Sequence, residues 1–244
     1  MQNIESNKIE NIVQNYNRHH LVILRNQTLN ENQLINVAKL FGEPAQALVP
    51  TFRFDDYPVI TRHTNVKDSN NAAKGVVAPN HVFHADSYFT PNPSKATIFY
   101  CLKAPTIGGE THFINMCDVY NSLDAATRML IEDKKVAYKN AFINQPPVVH
   151  PMVRVHPTTH KKALFVNKHR AVSVDGMELD ESLKLVEDLY QHAISPGFVY
   201  EHKWRNGDLL IWNNVTTMHC ATPIPDSEER LLYRILTKGD LPVS

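Results

Sequence analysis

Seven short segments, HLVILRN, KATIFYCL, THFINM, KALFVN, FVYEHKW, DLLIWNN and LLYRILTK, constrain this 244-residue chain more than any other feature. Each is rich in β-branched and aromatic residues and is bounded by Pro, Gly, Asn or Asp, the punctuation of strands. They do not alternate one-for-one with helical segments, so a parallel βαβ sheet is not indicated. A closed or sandwiched antiparallel architecture is, mainly β with flanking helices. Three helices are expected beside it. In LNENQLINVAKLFG, Asn30 can cap, Gln33 can close a capping box, Leu29 can staple onto Leu34, and Leu34, Val37, Ala38 and Phe41 make the stripe before Gly42. LDESLKLVEDLYQHAIS offers Leu183, Val186, Leu189 and Tyr190 as a second stripe, and LDAATRMLIED is the third helix.

No repeat, linker or low-complexity tract divides the chain, and residues 1–244 read as a single domain. Hydrophobic residues at 43% against 20% charged are enough to bury a sizeable core. Lys plus Arg equals Asp plus Glu, 25 against 25, which removes the electrostatic footprint of a nucleic-acid or anionic-membrane partner, so neither is expected. The amino terminus lacks a basic and apolar leader pattern, and no run approaches the length needed to cross a bilayer. Cys101, Cys117 and Cys220 are odd in number and have no C-x-x-C spacing. They indicate neither a disulfide framework nor a cysteine zinc site, and fit the cytoplasm.

HVFHADSYFT holds the one His-x-acid pair in the chain, His84 and Asp86. With 13 histidines, chance alone supplies roughly one such pair, so spacing by itself decides little. If residues 83–87 are extended, both side chains point to one face. Two imidazoles and one carboxylate on one side of a metal leave its other positions open for small molecules. A second histidine is available at His219, after the apolar strand of DLLIWNN and a polar turn. Further on, Arg230, Leu232 and Arg234 share one face of RLLYRIL while Leu231, Tyr233 and Ile235 share the other. An interior strand carrying two guanidinium groups inward demands anionic partners. No run of carboxylates supplies them, whereas a bound organic acid would, through the bidentate fork arginine offers.

FHAD, APTIGGETHF, HPMVRVHPTTHKKALFVN, NGDLLIWNNVTTMHCA and ERLLYRIL occur in that order. With them the chain resembles the taurine dioxygenase (TauD/TfdA-like) family of Fe(II)- and 2-oxoglutarate-dependent oxygenases over nearly its whole length. The resemblance implies a double-stranded β-helix, or jelly roll. It implies that His84, Asp86 and His219 hold Fe(II), that Thr111 and Arg230 bind the distal carboxylate of 2-oxoglutarate, and that dioxygen is the further cosubstrate. Arg234 would face the anionic group of a small primary substrate, and Asn80 would line its pocket. The reaction implied is oxidation, foremost hydroxylation, of a small anionic metabolite such as a sulfonate, carboxylate or amino acid, with release of succinate and carbon dioxide. Retention of Asp86 argues against halogenation, since halogenating relatives carry a small residue there. Ala47 and Pro50 stand where taurine-binding members have His and Tyr, which argues against taurine. Relatives often form dimers or tetramers, so the resemblance allows a homo-oligomer.

Two other readings stay open: desaturation or N-oxidation at the same iron centre, and a non-catalytic jelly roll that senses a metal or organic acid. His150, His156, His160 and His169 match no familiar ligand spacing and read as structural or solvated. Lys161, Lys162, Lys168 and Arg170 read as a solvated hairpin. Cys220 reads as a buried neighbour of His219, and Trp212 as barrel packing.

Overall fold

A computed structural model describes residues 6–46, 52, 54–67, 74–76, 82–139 and 145–240. Asn80, Ala47 and Pro50 lie outside them. In chain order the elements are α1 (Ser6–His19), β1 (Leu21–Leu24), α2 (Glu31–Lys39), β2 (Thr61–Thr64), β3 (Ala96–Lys103), β4 (Thr111–Asn115), α3 (Met116–Ser122), α4 (Ala125–Ile131), β5 (Lys135–Tyr138), β6 (Val148–Pro151), β7 (Val153–Val155), β8 (Lys162–Leu164), β9 (Ala171–Val174), α5 (Leu179–Ala193), β10 (Val199–His202), β11 (Leu209–Asn213), β12 (Thr217–Ala221) and β13 (Leu231–Leu236). A five-stranded sheet, ordered β1-β11-β3-β13-β2, faces a smaller one, β10-β4-β12, and the paired strands run antiparallel. The architecture is the expected jelly roll, with β5, β6 and β9 forming a side sheet and β7 and β8 a hairpin.

The central strands are apolar on both faces because each face packs against something different. Ile98, Tyr100, Leu209, Ile211 and Ile235 point outward, against Tyr16 of α1 and Leu34, Val37, Ala38 and Phe41 of the α2 region. Phe99, Cys101, Leu210, Trp212 and Leu232, offset by one residue, point into the barrel, where they meet Phe113 of β4 and Trp204. Trp212 is fully buried, with its ring centroid 5.0 Å from Phe99 and 5.1 Å from Phe113. Truncating such a side chain to Ala costs about 3–5 kcal/mol. Behind the small sheet, Ile114, Met218 and Cys220 face a third cluster containing Val186, Leu189 and Tyr190 of α5.

Asn30 caps α2 as expected, accepting the Gln33 N–H at 2.9 Å while the Gln33 side chain accepts the Asn30 N–H at 2.9 Å. The stripe expected on α5 needs one correction. Leu183 is 42% exposed, and Ser182 and Ala193 occupy the buried face with Val186, Leu189 and Tyr190. The Ser182 hydroxyl accepts the Val174 N–H at 3.0 Å, so a polar residue docks the helix on β9 where an apolar one was expected. None of the described helices is long and apolar enough to cross a membrane.

Candidate active site

His84 lies directly opposite His219 of β12, and the two exchange both backbone hydrogen bonds, His84 N–H to His219 O at 3.0 Å and the reverse at 2.9 Å. Their rings stand 4.5 Å apart between centroids. The extended stretch ends sooner than the sequence suggests, since Asp86 already begins a turn and Ser87 takes a left-handed φ of +57°. The convergence survives because the register, rather than a long strand, brings the groups together. One ligand atom each of His84, Asp86 and His219 lies within 4.8 Å of the others, a spacing one metal ion can bridge; among the described residues no other such group forms. Nδ1 of His84 donates to the Val82 carbonyl at 2.9 Å, which leaves Nε2 with its lone pair free. Burial holds the His219 imidazole neutral, pushed down to about 3, with His84 adding to the effect. A neutral imidazole is the form a metal requires.

The segment carrying the cluster is held at every backbone N–H. Phe83 donates to the Tyr190 hydroxyl at 3.0 Å, Ala85 to Asn167 Oδ1 at 2.8 Å and Asp86 to Asn214 Oδ1 at 3.2 Å. The Asp86 carboxylate is fixed from two sides. Thr97 donates to Oδ2 at 2.6 Å and itself accepts from Asn214 Nδ2 at 2.8 Å, while Arg234 Nη1 approaches Oδ1 at 3.3 Å. Burial alone raises the Asp86 pKa, but His219, Arg234, His84 and the Thr97 hydrogen bond together hold it well below the usual carboxylate range. It is therefore an anion at any working pH.

Arg230 is 3% exposed. Its Nη1 donates to the Gly109 carbonyl at 2.8 Å, its buried Nε has no partner, and none of the ion pairs among the described residues includes it. Burial depresses its pKa to about 10. The GGETH turn explains the close approach: Gly109 sits at φ +68°, and a Cβ there would come within 3.0 Å of Pro105 and 3.6 Å of the Arg230 Cδ. Two residues on, Thr111 faces inward, because Ala221↔Thr111 and His219↔Phe113 are same-face pairs across β12 and β4. Its hydroxyl accepts the Trp204 indole N–H at 3.0 Å, so its own proton is free for an acceptor in the barrel. The structure thus brings His84, Asp86, His219, Thr111, Arg230 and Arg234 into one interior; Asn80 lies outside the described residues.

Sequence reading supplied no carboxylate for the arginines; Arg234 finds one in Asp86, from a distant segment. Thr97, Asn214 and Asn167 also escaped notice. Their only signal was a polar residue at an inward or turn position of an apolar stretch. His156 is structural, its Nδ1 accepting the backbone N–H of Thr158 at 3.2 Å and of Thr159 at 3.1 Å. Cys220 is buried, its thiol pushed up to about 11 by desolvation, as befits packing rather than nucleophilic attack.

A jelly roll whose facing strands present two imidazoles and one carboxylate, beside inward arginines, is the framework of a non-haem iron oxygenase that uses a 2-oxo acid. Residues 1–236 match the taurine catabolism dioxygenase TauD, TfdA family, and the chain belongs to it. Proteins of this family use Fe(II), 2-oxoglutarate and dioxygen, and the chain is accordingly an Fe(II)/2-oxoglutarate-dependent dioxygenase. It is 28% identical over 243 residues to the (S)-phenoxypropionate/alpha-ketoglutarate-dioxygenase of Sphingobium herbicidovorans, covering 90% of this chain and 82% of that one. It is 28% identical over 251 residues to the alpha-ketoglutarate-dependent sulfate ester dioxygenase of Pseudomonas putida, covering 93% and 79%. A taurine dioxygenase structure from Burkholderia xenovorans superposes with a TM-score of 0.86 at 28% identity, over 100% of this chain and 84% of the other.

Proposed function

We propose that residues 1–244 form one oxygenase domain that hydroxylates a small molecule bearing a single anionic head group. Nε2 of His84, the Asp86 carboxylate and Nε2 of His219 would hold Fe(II). Arg230 and Thr111 would anchor the far carboxylate of 2-oxoglutarate, and Arg234 the substrate, with Asn80 in the substrate pocket. Dioxygen is the oxidant; iron and 2-oxoglutarate, when bound, would supply its activation, with one oxygen atom ending in succinate, released with carbon dioxide, and the other in the hydroxylated product. The protein supplies orientation: Trp204 turns the Thr111 proton inward, Gly109 aims Arg230, and the apolar wall of Phe99, Phe113, Trp212 and Leu232 keeps water out.

One observation carries the substrate class: two guanidinium groups face the barrel, and among the described residues Asp86 is the one carboxylate paired with either. A divalent metal, two arginines and one aspartate leave an excess of three positive charges. Dianionic 2-oxoglutarate removes two, and a monoanion removes the third. The relatives' names, a phenoxypropionate, a sulfate ester and taurine, share an acidic head group and little else, in keeping with this count. Three free, buried cysteines fit a reducing compartment, and we place the enzyme in the cytoplasm.

Adding Fe(II) and then 2-oxoglutarate to metal-free protein under argon should raise a weak visible charge-transfer band that needs both. Titration with a panel of small carboxylates, sulfonates, sulfate esters and amino acids should then shift the band with the substrate. For that compound, Arg234→Gln should raise KM at least tenfold while leaving the band intact. A folded protein that shows no band would leave the non-catalytic sensor as the better reading.

A further inference from the structure

One buried histidine in the barrel, His63, belongs neither to the candidate metal cluster nor to a packing role. His63 of β2 is 6% exposed and its Nε2 has no hydrogen-bond partner among the described residues. It pairs in register with Leu232 of β13, so it shares that residue's inward face. Its ring leans over the sheet to within 5.2 Å of Phe99, centroid to centroid. The charged and titratable groups that act on it are Arg234, Asp86, Arg230 and His219, all of them site groups. Along β13, Arg234 touches the metal-site carboxylate and Arg230 lies four residues away, before the strand begins. The row between them is that of Leu232 and His63. A ligand reaching from the His84, Asp86 and His219 cluster to Arg230 must pass this row.

We propose that His63 is a positioning residue for the cosubstrate, an uncharged imidazole that donates its Nε2 hydrogen to a carboxylate oxygen of 2-oxoglutarate lying between Arg234 and Arg230. The assignment rests on the cosubstrate site proposed above. Burial keeps the ring neutral, its pKa well below the ordinary value, so it adds a directed donor without a third positive charge. A buried ring nitrogen left unpartnered among the described residues is a cost the fold carries for no packing return, since a Leu would fill the same space without it. A bound carboxylate satisfies it.

The test is 2-oxoglutarate binding to the Mn(II)-loaded protein under argon, followed by calorimetry, for wild type, His63→Leu and His63→Gln. His63→Leu should bind 2-oxoglutarate about 10- to 100-fold more weakly, the range expected for one hydrogen bond to a charged group. His63→Gln, whose amide keeps a donor, should recover most of that loss. The thermal midpoint of His63→Leu without 2-oxoglutarate should equal or exceed that of wild type, which a structural histidine would not allow. Equal affinity in wild type and His63→Leu would overturn the role of His63 alone, as would equal weakening in both variants. Failure of wild type itself to bind 2-oxoglutarate would overturn the cosubstrate site on which the assignment depends.

Discussion

Replacing Arg230 by Met separates what the barrel needs to fold from what it needs to work. The guanidinium is 3% exposed and has no carboxylate partner among the described residues, and its depression from 12.5 to about 10 corresponds to about 3 kcal/mol borne by the protein without ligand. Met fills a similar volume without that burden. Against it stands the Gly109 carbonyl, which loses the donor at 2.8 Å, a loss of about 1–2 kcal/mol. The balance favours Arg230→Met by about 1–2 kcal/mol, within the range seen when uncompensated buried charge is replaced by apolar groups. Urea unfolding without ligand should show a higher midpoint and an unchanged slope. With Mn(II) and 2-oxoglutarate at 100 times its dissociation constant, wild type should gain about 2.7 kcal/mol and the variant close to none, so the order of stability reverses. A ligand-free variant less stable than wild type by more than about 1 kcal/mol would refute the reasoning, making Arg230 a clamp on the GGETH turn rather than an anion site.

Thr97→Val should lower Mn(II) affinity about tenfold and stability by about 2 kcal/mol, because it deprives Asp86 of its 2.6 Å donor and strands Asn214 Nδ2, while Thr97→Ser should recover most of both. A metal titration showing Val and Ser to be equivalent would exclude the hydroxyl as the cause. Acid should destabilise the fold well above the carboxylate range. Burial pushes His20, His150 and His156 down to about 4 each, so the unfolded chain takes up their protons first as pH falls through about 6.5. The stability they contribute is full above that pH and is lost progressively down to about 4. At pH 5.5 the loss is about 1 kcal/mol for each, or roughly 3–4 kcal/mol for the three, set against a typical total of about 5–15 kcal/mol. A urea midpoint that stays flat between pH 7 and 5 would contradict it.

Elements that bury two apolar faces declared themselves in the sequence, and elements that bury polar or small residues did not. KATIFYCL, DLLIWNN and LLYRILTK are strands because both their faces meet hydrophobic partners. TTMHCA, the strand that carries His219, reads as polar because its inward residues are Thr217, which bonds the His20 carbonyl, His219 and the small Ala221, and none is a large apolar side chain. THFINM conceals a change of element: Asn115 ends β4 and its side chain caps α3 by accepting the Cys117 N–H at 3.0 Å. Ile9, Ile12, Val13 and Tyr16 follow the helical spacing of α1, but Asn and Gln between them keep the segment's mean hydropathy low and hid the stripe. The candidate metal cluster was legible because His84 and Asp86 are close in sequence. Thr97, His63 and Asn214 were not, since each acts only through partners brought in by sheet register.

Register is also what couples the outer surface of the barrel to its chemistry. On β13, Tyr233 and Ile235 pack outward under the helices, and Phe54 meets Tyr233 edge-on at 4.9 Å. Arg234, between them, is thereby forced inward toward Asp86. Sliding the strand by one residue would put Arg234 under α2 and leave Tyr233 in the barrel, exchanging a paired charge for a buried unpaired one at a cost of several kcal/mol. The irregularity between Leu231 and Leu232 lies where the strand meets Arg230, letting that residue turn to Gly109 instead of continuing the ladder. The apolar contacts that stabilise the sheet from outside therefore fix which residues face the His84, Asp86 and His219 cluster inside. Outward residues such as Ile235 and Tyr233, which touch no ligand, determine the placement of Arg234 as firmly as its own side-chain contacts do.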